Sequence, residues 1–273
     1  MIILTRYLYI KEDVLCSLLF SILDKEREES LFWAYELYYS GFEAEVNEFV
    51  FSIFRQCFST LNPHLIKCFT KWSKKPNNPC YIGHMIANLC SPMNKFELIH
   101  FLHGTLPDME PVKSETKYLV ILFPEEKLQH YNNETNILNR LVLKEKCKYK
   151  VKREWSRFLE CYHSNIEHNE LFKIQTHSWL YFASFAPLWK ERIVEFKGSI
   201  YHENETIVFE NDDCLEEFSG HWGYEPDEQS IQVQQNICPS PQQYFDKNDF
   251  MKKYGCVIRK KKKAKQGGLV LNE

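Results

Sequence analysis

Apolar residues recur along the first part of the chain at the spacing of one helical face. From Lys11 onward, Val14, Leu15, Leu18, Leu19, Ile22 and Leu23 form an i, i+1, i+4, i+5 stripe, with Glu12 and Asp13 where a helix dipole favours carboxylates. Charged positions from Lys25 to Glu29 interrupt the stripe. A second helix is expected through Leu31, Phe32, Tyr35 and Tyr38, stopped by Ser40 and Gly41. Val46, Phe49, Val50, Ile53, Phe54 and Cys57 predict a third. Asn62 and Pro63 open a fourth, with Asn62 as its cap, carrying Leu65, Ile66, Phe69 and Trp72. Helices joined by connections this short are expected to stack as antiparallel pairs, although no repeat of fixed period is visible. Residues 1–10 form a mostly apolar stretch interrupted by Arg6, too short to cross a membrane, and read as a buried strand or extended arm.

The turn cluster at 74–79, with Pro76 and Pro79, marks a candidate boundary. Beyond it the pattern predicts helices over 81–89, 94–103, 125–131, 136–146 and 150–162, the second with Asn94 and Glu97 at capping-box spacing. Residues 106–116 read as an exposed loop and 163–176 as a polar connection. Periodicity alone does not decide between strand and helix for 118–123. Pro187 divides a helical pair at 178–185 and 188–196, which Gly198 ends. Residues 199–209 place β-branched and aromatic residues on either side of Glu203 and Asn204, as a hairpin does. Asp212 and Asp213 begin a short helix to His221, followed by an acidic loop at 224–228 and a last helix over 241–254.

The fold class is therefore mainly α, with stacked antiparallel helical pairs in a helical-repeat or bundle-like arrangement and a small β-hairpin in the C-terminal half. The expected division is a helical-pair domain at 1–75, a mixed, mainly helical region at 80–255 and a basic tail at 256–273. Composition narrows the function classes. With 44% hydrophobic and 26% charged residues, 273 residues can bury a sizeable core. A net charge of -3 argues against a general nucleic-acid coat. The 10 cysteines are scattered, several of them within apolar stripes, which points to free thiols in a reducing, intracellular compartment. No stretch is long and apolar enough to span a membrane.

Phosphate-cradling glycine motifs and hydrolase signatures are missing, so no catalytic residue is nominated and no cofactor is called for. Cys80, His84, Cys90, His100 and His103 are donors that zinc accepts, but they lack the close cysteine pairs of a standard finger. They are read as core cysteines and surface histidines, with zinc as the weaker alternative. Trp33, Tyr39, Phe42, Trp179, Trp189 and Arg192 are of the types that dominate binding hot spots and are candidates for a partner-binding surface; core packing is the competing assignment. Tyr35 and Tyr38 are expected to pack. Arg259, Lys260, Lys261, Lys262, Lys263 and Lys265 form a run that could contact nucleic-acid phosphates, act as an import signal or stay solvated.

The segments Glu29-Ser-Leu-Phe-Trp-Ala-Tyr-Glu-Leu-Tyr-Tyr-Ser-Gly-Phe-Glu43, Trp179-Leu-Tyr-Phe-Ala-Ser-Phe185 and Trp189-Lys-Glu-Arg-Ile193 carry a resemblance. On these the chain resembles, over most of its length, a group of uncharacterised proteins of giant nucleocytoplasmic DNA viruses of the mimivirus kind. That resemblance brings no known activity or catalytic residue. It implies expression in a eukaryotic host cell, in the cytoplasm at a virus factory. Residues 13–54 are also similar to the helical collar of clamp-loader-related ATPases, read here as shared helical-hairpin packing. Together these features predict a non-enzymatic interaction protein of a large DNA virus, a helical scaffold with a protein partner and no membrane. The alternative is a nucleic-acid-associated factor in viral replication, transcription or translation that uses the basic tail.

Overall fold

The computed structural model describes residues 1–110, 119–132 and 138–255. The first helix, α1 (Lys11–Leu23), follows its stripe but is buried on more than one side: Cys16, Ser17, Phe20 and Ser21 are enclosed together with Leu18, Leu19 and Ile22. A helix enclosed in this way lies at the centre of a fold rather than on its surface. It pairs with α2 (Arg27–Tyr38) across a three-residue connection in which Lys25 takes a left-handed φ of 63°. The Lys25 ammonium donates to the carbonyls of Leu89 and Asn94 and lies over the rings of Phe58 and Phe96. Gly41 ends this pair at φ 92°, and a Cβ there would lie 2.5 Å from Pro187 Cβ. Glycine is needed at that position for both the turn and the close approach.

Next come α3 (Glu43–Ile53), a π-helical turn at Phe54–Phe58, a 3-10 turn at Pro63–Leu65 and α4 (Ile66–Ser73). Asn62 does not cap this helix. It is buried, and its amide donates to the carbonyls of Phe58 and Lys95. Asn78 caps α5 (Pro79–Leu89), accepting from Cys80 N at 3.0 Å. Helix α5 packs against α2, α3 and α4, so packing continues across the turn at 74–79. The expected helix over 94–103 shrinks to α6 (Ile99–His103), because Asn94 and Glu97 are used elsewhere. The Asn94 amide donates to Asn88 O, and the Glu97 backbone N–H donates to Cys57 O.

Residues 119–124 adopt neither strand nor helix. Their backbone bonds to side chains of α5: Ile121 N donates to Asn88 Oδ1, and Phe123 N donates to His84 Nδ1 at 2.9 Å. Two short helices follow, α7 (Leu128–Asn132) and α8 (Asn139–Lys146). The predicted helix over 150–162 is not formed; the stretch holds a 3-10 turn at Arg153–Trp155 and the start of another at Tyr162–Asn165. Its hydrogen-bonding groups are committed to distant elements. Lys152 N donates to Ser17 Oγ, Cys16 Sγ to Lys152 O and Val151 N to Asn236 O. Conversely, the expected polar connection at 163–176 contains α9 (His168–Thr176), with buried Leu171, Gln175 and Thr176 on its inner side.

Helices α10 (Trp179–Ala183) and α11 (Pro187–Glu195) meet the expected break at Pro187. Strands β1 (Gly198–Tyr201) and β2 (Thr206–Phe209) form the predicted antiparallel hairpin, with Gly198 opposite Phe209. The chain continues through α12 (Asp212–Trp222), α13 (Ile231–Ile237) and α14 (Lys247–Tyr254). The last is shorter than expected because Asp246 and Asp249 close a capping box at its start.

One hydrophobic core runs from Ile2 to Phe250. The arm at residues 1–10 lies within it and is tied to the C-terminal half: Leu4 N donates to Phe182 O, Trp189 Nε1 to Thr5 O and Gln175 Nε2 to Leu8 O. The first 75 residues therefore share their core with the rest of the chain. Much of the aromatic content is spent on such joins. Phe20 of α1 stacks on Trp155 with ring centroids 4.4 Å apart and meets Phe250 of α14 edge-on.

Candidate functional site

Three of the six aromatic and arginine candidates are core residues, which overturns their assignment to a partner surface. Trp33 and Trp189 are 0% exposed, and each indole N–H is used internally, Trp33 Nε1 on Glu29 Oε1 and Trp189 Nε1 on Thr5 O. Arg192 is buried with its guanidinium over Trp222 and Trp189. The physical reason is size, because a large ring at an inward position removes more apolar surface from water than a smaller residue could. Tyr39, Phe42 and Trp179 are half-buried. Tyr39 faces the Arg6 guanidinium, Phe42 lies under the Lys11 ammonium and Trp179 stacks near Tyr224. The end of α2 and the start of α11 meet here, since Leu188 N donates to Ser40 O.

The zinc alternative does not assemble. Among the described residues, no group of three His, Cys, Asp or Glu side chains is placed to hold a metal ion. His84 uses Nδ1 to accept from Phe123 N, His100 Nδ1 lies 3.0 Å from Thr105 Oγ1 and the buried Cys90 thiol contacts Ser30 Oγ. The six basic candidates from Arg259 to Lys265 lie outside the described residues.

A cluster that sequence reading did not single out lies behind α1. Arg153 donates from Nε and Nη2 to Asp13 Oδ2, His163 Nε2 lies 2.8 Å from Asp13 Oδ1, and Arg153 Nη1 reaches Cys238 Sγ at 3.0 Å. All four residues are buried. The cluster has the residue types of a thiol catalyst but the opposite electrostatics. Burial pushes the Cys238 thiol up despite Arg153, and burial with Asp13 and Glu12 nearby pushes Cys161 up to about 12. A nucleophilic cysteine needs its thiolate favoured. What the arrangement does is tie α1 to the 3-10 turn at Arg153–Trp155.

On the other side of α1 lies an apolar groove. Helices α1 and α3 both pack on α2 but only marginally on each other, leaving a channel of 330 Å³ between them. Leu15 and Leu19 form one wall, Phe49 and Ile53 the other, each pair one helical turn apart. Phe101 of α6 and residues 159–162 complete the lining, and Tyr162 among them is 63% exposed. The groove adjoins a second hollow of 500 Å³ that shares Phe101, Leu159 and Glu160 and runs to the start of α14. Gln56, from the π-helical turn, also reaches the channel. Such turns break the regular ladder and are frequent at functional sites.

Glu12 stands at this groove, and its Oε2 is buried without a hydrogen-bond partner. Burial pushes its carboxyl up, opposed by its own backbone amide and by His163 and Lys11. The Lys11 ammonium itself is 2.9 Å from Glu45 and lies over Phe42. Sequence reading placed Leu15 and Phe49 in their stripes without separating them from the stripes' enclosed positions. The available signal was width: the apolar positions on α1 extend further around the helix than one partner helix covers.

A third hollow, of 460 Å³, is lined by Phe32, His130, Tyr131 and Tyr149, with Lys146, Lys148, Glu28 and Glu145 also in its lining. Its charges are mixed, and Arg6 at its edge is held by Glu36 at 2.9 Å. No described helix is long and apolar enough to cross a membrane. No protein-family model, curated protein or solved structure matches the chain.

Proposed function

We propose that the protein is a non-enzymatic interaction protein, a helical scaffold whose groove between α1 and α3 receives an apolar segment of a protein partner. The observation that carries this reading is the groove itself. In a chain that encloses most of its large apolar side chains, Leu15, Phe49, Phe101 and Leu159 remain partly open around one channel. Apolar side chains gathered in a concave surface gain from burial against a partner, at about 25 cal/mol per Å² of area removed from water. Upward-shifted thiols argue against a cysteine nucleophile. On the resemblance carried by 29–43, 179–185 and 189–193, the setting is a host cell infected by a giant DNA virus, in the cytoplasm at the virus factory.

The test is affinity purification of the tagged chain from infected or expressing cells, with and without nuclease, beside a Phe49→Asp variant and a deletion of 259–273. The expected result is a defined set of proteins that survives nuclease, remains with the tail deletion and is lost from Phe49→Asp, while that variant keeps its helical circular dichroism. A set that collapses with nuclease and with loss of the tail would overturn this reading in favour of the nucleic-acid factor. A set unchanged by Phe49→Asp would remove the groove from it.

A further inference from the structure

The groove has a charge as well as a shape. Its lining carries two carboxylates, Glu12 and Glu160, and no lysine, arginine or histidine. Glu12, Leu15 and Leu19 share one face of α1, at i, i+3 and i+7, so the carboxylate is the continuation of the apolar ridge rather than a separate surface feature. The basic side chains near Glu12 are otherwise engaged. Lys11 pairs with Glu45, and the buried His163 lies 2.8 Å from Asp13. Glu12 Oε2 thus sits in a wall where it has lost water, and beyond the backbone amide of its own residue the carboxyl gains no donor. An acceptor in that condition costs free energy until a donor is supplied.

The geometry on either side defines what can supply it. Leu15 and Leu19 on α1 and Phe49 and Ile53 on α3 are two i, i+4 ridges with a furrow between them. A third helix fills such a furrow with a ridge of its own. Resting on the reading of this groove as the partner site, we propose that its occupant is an amphipathic helix of a partner protein. A lysine or arginine at the edge of that helix's apolar face pairs with Glu12, making Glu12 the specificity-determining residue. Glu160, exposed at the junction with the second hollow, adds to the preference for a basic partner without being desolvated. The pairing would act mainly on selectivity, because an acidic residue brought to the same place would meet an uncompensated carboxylate.

A display library of helix-forming peptides, panned against the full chain and separately against Glu12→Lys, tests this. On the natural chain the selected peptides should carry apolar residues at i, i+3 and i+4 flanked by lysine or arginine. On Glu12→Lys the flanking residue should become aspartate or glutamate. A peptide selected on the natural chain should bind Glu12→Gln at least about tenfold more weakly, a loss near 1.4 kcal/mol, and should lose binding to Phe49→Asp. Peptides that need Phe49 but are indifferent to residue 12 would overturn the role of Glu12 and leave the groove standing. Peptides indifferent to both, or no enrichment, would overturn the groove as well. A concentration-dependent dimer abolished by Phe49→Asp would give the groove to a second copy of the chain and overturn the proposal.

Discussion

Glu12 and Asp13 are adjacent carboxylates in the first turn of the same helix, about 100° apart around its axis, and they meet opposite surroundings. Burial alone would push Asp13 up, but the Arg153 guanidinium and His163 outweigh it and hold its carboxyl below the usual range. Burial also pushes Glu12 up, and there its own amide and more distant cations do not compensate. The difference lies in what the rest of the chain supplies. Asp13 receives a cation from a residue 140 positions away, whereas Glu12 faces a channel lined by apolar and uncharged polar side chains and one other carboxylate. One side of α1 is completed by the fold. The other stays partly open at the groove, which is the condition a binding surface requires.

The closed side should be the costly one to disturb. Asp13→Asn leaves Arg153 buried without its counter-charge and is expected to lower unfolding free energy by about 3–5 kcal/mol in urea denaturation. The double variant Asp13→Leu with Arg153→Met removes both charges and should recover most of that loss. The pH dependence sharpens the comparison. Asp13 has a folded pKa below its unfolded one, so its contribution is present above the unfolded carboxylate range and is lost as pH falls through the folded value. Glu12 is the reverse: its folded pKa is raised, so its contribution is fullest below the unfolded pKa and is lost as pH rises through the folded value. Stability measured from acid to neutral pH should therefore flatten in the Asp13/Arg153 double variant and rise more steeply in Glu12→Gln. If both changes move the slope the same way, the contrast between the two carboxylates fails.

Leucines on the two sides of α1 should differ in the same sense, by less. Leu18 is fully enclosed, and Leu18→Ala is expected to cost about 2–5 kcal/mol through lost burial and a residual cavity. Leu15 is only half-buried at the groove, so Leu15→Ala should cost about 1 kcal/mol. Thermal and urea unfolding of the two variants would measure this. Equal losses would mean that Leu15 is packed as tightly as the core and that the channel is closed in the free protein.

The sequence carried the local part of this picture and not the long-range part. The α1 stripe, the stop at Gly41, the break at Pro187 and the hairpin at 198–209 were legible because each is decided by neighbours within a turn or two. The missing helix at 150–162 was not, because the backbone N–H groups of Val151 and Lys152 donate to Asn236 O and Ser17 Oγ, and nothing local records that competition. Asn62 and Asn94 look like helix caps in sequence, yet their amides bridge to Lys95 and Asn88. Trp33 and Trp189 were ambiguous for a similar reason, since the same ring serves a hot spot or a core. The groove was the least legible feature. Leu15 belongs to the same stripe as Leu18, and Glu12 to the same acidic turn as Asp13; which of each pair is covered depends on where α3 and residues 157–163 come to rest.

The smallest effect concerns Glu160, at the junction of the two hollows. Its φ of 53° is left-handed, a region that disfavours residues with a Cβ. Lys25, Lys197 and Glu205 adopt similar angles where the chain turns between elements, and Glu160 likewise ends a turn, its N–H donating to Arg157 O. Glycine at 160 should therefore stabilise the chain by about 0.5–1 kcal/mol, the backbone relief being partly offset by the extra freedom of an unfolded glycine. Asparagine, which tolerates the left-handed region, should give a smaller gain and removes the same charge. Because Glu160 is exposed whereas the Glu12 Oε2 is buried, both variants should weaken a groove-selected basic peptide less than Glu12→Gln does. A larger loss at 160 than at 12 would shift the selectivity from the buried carboxylate to the exposed one, and with it the idea that desolvation, rather than surface charge, sets the preference.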